Sequence, residues 1–180
     1  TSLKGISEFS AYREENFNVS GRDGVRRYSG IFAEPNIFQL TRTKPILGRV
    51  FTELEYQVGA DNVAVIGFDL WQNLFAGDSK VIDQRLRVSG VSHRVIGVMP
   101  QGYCCPSTAE SWVPMRQDAT KLNRGDGETV YGLAHIAENS SSEEVNRKLD
   151  VIMQRIEERL PKTNNGIGAF ADSLQMSSAA

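Results

Sequence analysis

The chain has 180 residues, with 20 lysines and arginines against 22 aspartates and glutamates, a formal charge of −2 and a pI near 5.7; no single-sign field marks it as a general binder of nucleic acid or anionic membrane. At this length one compact unit buries roughly 70% of the surface its unfolded chain exposes, and 40% hydrophobic with 23% charged residues is ordinary globular usage that excludes wholesale disorder. No run approaches the roughly 20 apolar residues of a membrane-spanning helix, and residues 1–5 lack the basic-then-apolar layout of a signal peptide.

Leu3, Ile6, Phe9 and Tyr12 recur every third residue, which predicts a short opening helix over 3–12 with Ser2 or Ser7 as cap, ended by Glu15. Phe17 and Val19 then alternate with Asn16, Asn18 and Ser20, and Gly21-Arg22-Asp23-Gly24 is dense turn chemistry, so a β-hairpin through Tyr28 and Phe32 follows. Pro35 suits the first turn of a short helix over 36–40 whose apolar face is Ile37, Phe38 and Leu40.

Val63-Ala64-Val65-Ile66 is a short apolar run that reads as a strand buried on both faces. The next element is helical, from Asp69 through Leu70, Trp71, Leu74 and Phe75, with Gly77 where a left-handed cap belongs. Leu86 and Val88 alternate with Arg85 and Arg87, Ser89-Gly90 makes a turn, and 93–99 supplies the return strand of a second hairpin. After the turn-rich stretch 101–111, Trp112-Val113-Pro114-Met115 reads as an extended piece held off regular pairing by its proline.

Residues 123–128 form a polar connector, and 130–137 predict a strand with small residues Gly132 and Ala134 on one face. The clearest helix spans 141–160, with Ser141 and Glu144 as a capping pair and Val145, Leu149, Ile152, Met153, Ile156 and Leu160 as its stripe, stopped by Pro161. Its Leu149, Met153 and Ile156 face is expected to pack on the 130–137 strand and on a last short strand over 167–171. The tail 177–180 is composed of small residues.

Catalysis needs a nucleophile beside a base, a spaced carboxylate pair or a metal cage, and no such set stands out: the reading is of a non-enzyme with no catalytic, cofactor-binding or metal-binding residues. Gly21-Arg22-Asp23-Gly24 leads into a strand without a following Gly-Lys-Ser/Thr, so it is a turn and not a phosphate loop. Cys104 and Cys105 are adjacent and supply no disulfide framework; without a second pair, and with His93 and His135 at no ligand-like spacing, they read as structural thiols. His93 and His135 read as strand-surface histidines, Trp71 as core and Trp112 as more open. Arg85, Arg87 and Arg94 line one face of the second hairpin, a solvated face or a contact for an acidic partner. Asn18-Val19-Ser20 and Asn139-Ser140-Ser141 match the glycosylation acceptor pattern, which matters only in some compartments.

One ordered set of segments carries more than any single motif: Pro45-Ile46-Leu47-Gly48-Arg49-Val50-Phe51, Val63-Ala64-Val65-Ile66-Gly67, Leu70-Trp71, Leu74-Phe75-Ala76-Gly77-Asp78, Val95-Ile96-Gly97-Val98-Met99-Pro100 and Trp112-Val113-Pro114. In this order the chain resembles the MacB-like periplasmic core domain of FtsX-like ABC transporter permeases over nearly its whole length. It departs at Tyr103-Cys104-Cys105, where members carry aromatic or apolar residues, and in lacking the strand expected before the opening helix, as a trimmed chain would. The resemblance implies an α+β fold with porter-like strand-helix-strand units from both chain ends, residues 1–49 and 128–180, flanking an inserted small α/β Sabre-like subdomain, residues 50–127. It also implies a periplasmic ectodomain of an inner-membrane permease, non-catalytic and without cofactor, coupling ATPase-driven motion to a substrate or partner in efflux or mechanotransmission. The implied partners are the transmembrane helices of the same permease, a separate cytoplasmic ATPase subunit or domain, a periplasmic adaptor or lipoprotein, and a second copy in a dimer, with no nucleic acid. The transporter reading requires both chain ends to lie together with the middle block projecting away; the alternative, favoured if they do not, is a stand-alone binding or regulatory module of the same fold recognising a peptide, lipoprotein or adaptor protein.

Overall fold

A computed structural model describes residues 6–21, 24–116 and 129–172. The turn residues Arg22 and Asp23, the connector 123–128 and the tail 177–180 lie outside them. The first element, β1 (Ile6–Gly21), is a 16-residue strand and not a helix. Three-residue spacing over so short a stretch is a weak helical signal, and here it is overridden by partners on both edges: Tyr12 pairs with Ala33 on one side and with Tyr131 on the other. The described part of the chain therefore opens on a strand. β2 (Gly24–Ala33) returns along β1 in register from Gly21↔Gly24 to Tyr12↔Ala33, the expected hairpin.

There follow α1 (Ile37–Leu40), β3 (Leu47–Gly48), α2 (Glu53–Tyr56), β4 (Val63–Ile66), α3 (Phe68–Phe75) and a 3-10 turn at Ser79–Val81. β5 (Arg85–Val88) and β6 (Val91–Val98) form the second hairpin, then come β7 (Ser111–Pro114), β8 (Tyr131–Ile136), α4 (Ser142–Arg159) and α5 (Pro161–Asn164). The cap of α3 is left-handed as expected, but Ala76 is the residue that takes it, followed by Gly77.

The strand order β2-β7-β4-β6-β5-β1-β8, with β1 pairing again with β2, closes six strands into a ring from which β8 hangs on the first half of β1. One buried cluster draws on all six ring strands, among them Phe17, Tyr28, Ile66, Leu86, Val95 and Val113, with Leu70 of α3 packed in. A second lies against α1 and holds Ile31, Phe38, Phe51, Val65, Ile96 and Trp112. β4 feeds both, Ala64 and Ile66 to the first and Val63 and Val65 to the second, so it is buried on both faces as its composition predicts.

Three further expectations are corrected. Residues 111–114 do not stand off the sheet: β7 runs parallel to β2 and antiparallel to β4. Proline is tolerated at the end of β7 because Met115 N–H donates the bond to Ala33 O at 2.9 Å. Residues 167–171 form no strand; the Asn146 side chain binds the Ala171 backbone instead, with Nδ2 donating to the carbonyl at 2.9 Å. The packing expected for α4 is likewise incomplete: one of its two strands is absent, only Val145 is fully buried, and Leu149, Met153 and Ile156 are half-buried. The capping expectation holds in part, since the Ser141 hydroxyl accepts from Glu144 N–H at 3.2 Å, and Pro161 opens α5 where α4 stops.

Candidate interaction surface

The residues that sequence reasoning weighed for chemistry do not converge. Cys104 is exposed and Cys105 buried, neither is in a disulfide, and burial pushes the Cys105 thiol up to about 11, far from a reactive thiolate. His93 is half-buried with Nδ1 3.1 Å from Val91 O, and burial lowers its pKa. His135 sits on β8 at 3.3 Å from Glu8 of β1, opposite it in register. Trp71 is half-buried, its indole N–H donating to Asp78 O at 2.9 Å. Trp112 is not open: it is wholly buried, packs on Phe38 and Tyr103, and donates to Cys105 O at 3.1 Å. Among the described residues no group of three or more His, Cys, Asp or Glu is arranged to hold a metal, and no helix is long and apolar enough to cross a membrane.

A polar knot missed at the sequence level ties α2 to the sheet. Thr52 caps α2 with a full capping box, and Glu55 Oε2 accepts from Thr52 N–H and its hydroxyl, both at 2.8 Å. Glu55 Oε1 takes Arg49 Nη2 at 2.5 Å, while the Arg116 Nε donates to Glu55 O at 2.7 Å and its other nitrogens bind Asn62 and the Asp61 carbonyl. Burial alone would push the Glu55 carboxyl up, but the bonds from Arg49 and Thr52 outweigh it and hold the group at about 2, below its ordinary 4.5. Because the folded value is the depressed one, this stabilisation is present above pH 4.5 and is lost as pH falls towards 2. Glu55→Gln is expected to lower stability at pH 7 by up to about 3 kcal/mol and to flatten the acid limb of the stability profile. Urea melts at stepped pH check both; parallel acid limbs for variant and parent would refute the assignment.

The arginines of the second hairpin belong to a larger arrangement at the end of the ring where the two hairpin turns meet. Ser89 N–H donates to Asn18 O at 2.8 Å, which fastens the β5–β6 turn to β1. On the outward face, β1 places Asn18 opposite Arg27 and Ser20 opposite both Val25 and Arg87, while Arg85 faces Arg94 across β5 and β6. Arg94 is neutralised by Asp83 at 2.8 Å with Asp61 at 3.8 Å. Arg27, Arg85 and Arg87 are exposed and have no carboxylate within ion-pair distance among the described residues. Beside them opens a groove of about 590 Å³, with Leu74, Phe75 and Leu86 as its apolar wall and Ser20, Gln84 and Arg85 on its rim. Asp78 also lines it, with Oδ1 occupied by Lys80 N–H at 2.8 Å. The alternation of β5 announces Arg85 and Arg87; Arg27 and the groove depend on β1 standing between the two hairpins, a long-range pairing.

The family model described as MacB-like periplasmic core domain matches residues 2–152. No curated protein sequence matches the chain. Among solved structures, the chain is similar in fold to the periplasmic region of MacB from Actinobacillus actinomycetemcomitans, at 13% identity and a TM-score of 0.66 over 91% of this chain and 72% of that one. It is similar also to the extracellular domain of the noncanonic ABC-type transporter YknZ from Gram-positive bacteria, at 14% identity and a TM-score of 0.62 over 91% of this chain and 81% of that one.

Proposed function

This chain belongs to the MacB-like periplasmic core domain family, and from that premise we propose that it is the extracytoplasmic part of an ABC transporter permease that carries ATPase-driven motion to a partner or substrate outside the membrane. The domain itself performs no catalysis in this reading. ATP is hydrolysed by a separate cytoplasmic subunit or domain, the chain continues into transmembrane helices of the same permease, and two copies work as a dimer. In this reading residues 1–49 and 128–180 contribute the porter-like, membrane-side unit and 50–127 the Sabre-like unit that projects outward, with β1 and β2 reaching from the first to close the six-stranded ring of the second.

The observation that carries the proposal is the length and double pairing of β1. Its first half pairs with β8, its second half belongs to the ring, and its 16 residues span about 50 Å as one strand. Ile6 lies opposite Ile136, a few residues before α4, and Ala171 is fastened to Asn146 in the first turns of α4, which supports both described ends of the chain sharing one region. A displacement applied there reaches the hairpin turns through a hydrogen-bonded strand and not through a flexible linker.

The test uses the full permease with its ATPase, spin-labelled at Val25, an exposed β2 residue opposite Ser20. The expected result is a shift in the label-to-label distance between protomers when ATP binds, abolished by an ATPase variant that cannot bind nucleotide. An unchanged distance distribution in an actively hydrolysing transporter would overturn the coupling role.

A further inference from the structure

We infer that the basic end of the ring, where Arg85 lines the groove of Leu74, Phe75 and Leu86 and where Arg87 and Arg27 stand opposite Ser20 and Asn18 of β1, is a docking surface for an extended acidic segment of a partner protein that carries an apolar anchor. The inference rests on the transporter reading only in taking the partner to lie outside the membrane; the surface itself is argued from the charges and the groove.

Guanidinium groups without a carboxylate partner are the first part of that argument, Arg87 being held by Nε donating to Gly90 O at 3.0 Å. In the same hairpin Arg94 is satisfied by Asp83, whereas its cross-strand neighbour Arg85 is left without a carboxylate, as are Arg87 and Arg27 among the described residues. Because Asp83 and Asp61 take up the charge of Arg94, the carboxylate of an incoming segment is left for Arg85. Geometry sets the second part. Arg85 and Arg87 lie two residues apart on one face of β5, about 7 Å, which is also the spacing of alternate side chains on an extended peptide. Carboxylates at alternate positions of such a segment therefore meet both arginines at once, each as a fork-shaped donor suited to bidentate pairing. Ser20, which lines the groove, stands opposite Arg87, so the cationic row and the apolar wall are continuous.

An apolar anchor follows from the groove's chemistry. Leu74 and Phe75 are only half-buried while polar Ser20, Gln84, Arg85 and Asp78, the last with Oδ1 taken by Lys80 N–H, rim them, and an apolar wall inside a polar rim is the usual anatomy of a protein contact.

The test measures fluorescence anisotropy of a short labelled peptide alternating glutamate with serine and ending in leucine, titrated with this chain. Three comparisons accompany it: the counterpart with lysine for glutamate, the counterpart with serine for the leucine, and vesicles of phosphatidylglycerol. The acidic peptide should bind at least about tenfold tighter than the lysine peptide, and its affinity should fall as salt rises. It should lose about tenfold in the Arg85→Glu/Arg87→Glu double variant and weaken when the leucine is replaced. Arg85→Gln/Arg87→Gln, which introduces no new charge, should show an intermediate loss and guards against misfolding of the reversal, with circular dichroism of both variants as control. Equal binding of acidic and lysine peptides, no effect of either double variant, or binding to vesicles without binding to the peptide would each overturn the inference. ATP-driven movement of the Val25 labels with no peptide binding refutes this surface alone, and peptide binding without movement refutes the coupling reading alone.

Discussion

Trp112→Ala is expected to lower the stability of the domain by about 3–5 kcal/mol, the upper range for truncating a core side chain. Trp112 is 0% exposed in the centre of the second cluster, with ring centroids of Phe38 and Tyr103 at 6.2 and 5.2 Å. It sits on β7, paired on both edges, so the backbone around the lost ring has little room to collapse. At about 2–4 °C per kcal/mol for a chain of this size, the melting temperature should fall by about 10 °C. Trp112→Phe separates two contributions: it keeps most of the packing but leaves the Cys105 carbonyl without its donor at 3.1 Å, and should cost about 1–3 kcal/mol. Equal losses from the two variants would show that the indole bond, and not ring packing, dominates.

Gly97→Ala is expected to cost about 3 kcal/mol or to prevent folding, the severe end of overpacking. A Cβ there would stand 2.2 Å from Arg49 O, which is backbone and cannot turn away. Opposite it is Gly48, at φ +67 with its own added Cβ 2.1 Å from Ile96 O. Two glycines facing each other let β3 lie directly on β6, fixed by Ile46 N–H to Val98 O and Arg49 N–H to Ile96 O, both at 2.8 Å. That seating carries Phe51 to Phe38, centroids 5.1 Å apart, and Arg49 to Glu55. Pushing the segment off β6 loses both. Gly168→Ala, with nothing within 4 Å of the added carbon, should be near neutral in the same urea melts; a Gly97 variant no less stable than the Gly168 one would refute the account.

Both hairpins, β4, α3 and α4 were legible because each is declared by local chemistry: alternation, turn dipeptides, a helical stripe and caps. The elements that were misread are those whose state is decided by distant partners. Phe9 and Tyr12 follow a helical spacing, yet β8 claims that stretch from more than a hundred residues away. Pro114 argues locally against a strand, and only the register with Ala33 shows that its missing N–H is not needed. Trp112 looked open because proline and turn residues surround it in sequence, while its burial comes from α1 and the stretch around Cys105. The Gly-Arg-x-Phe segment stood out as part of a resemblance, and the structure supplies its physical reason in the contact with Gly97. The interaction surface divides the same way: Arg85 and Arg87 are a visible alternation, whereas the groove beside them and the knot around Glu55, to which Arg116 reaches across 61 positions, exist only after the chain has closed.

Closure of the ring also sets an order in time. Its seam joins β2 to β7, where Ser29 and Glu110, 81 positions apart, are bonded to each other. A chain emerging amino end first makes the β1–β2 hairpin from near neighbours, but the free edge of β2 must wait for everything through Pro114 before it is covered. Long-range parallel pairing of this kind is slow, on the order of milliseconds to seconds, and an uncovered edge is a template for another strand. The domain is therefore most exposed to self-association during its synthesis, between the appearance of β2 and the arrival of β7, and a holding partner would be needed most in that interval.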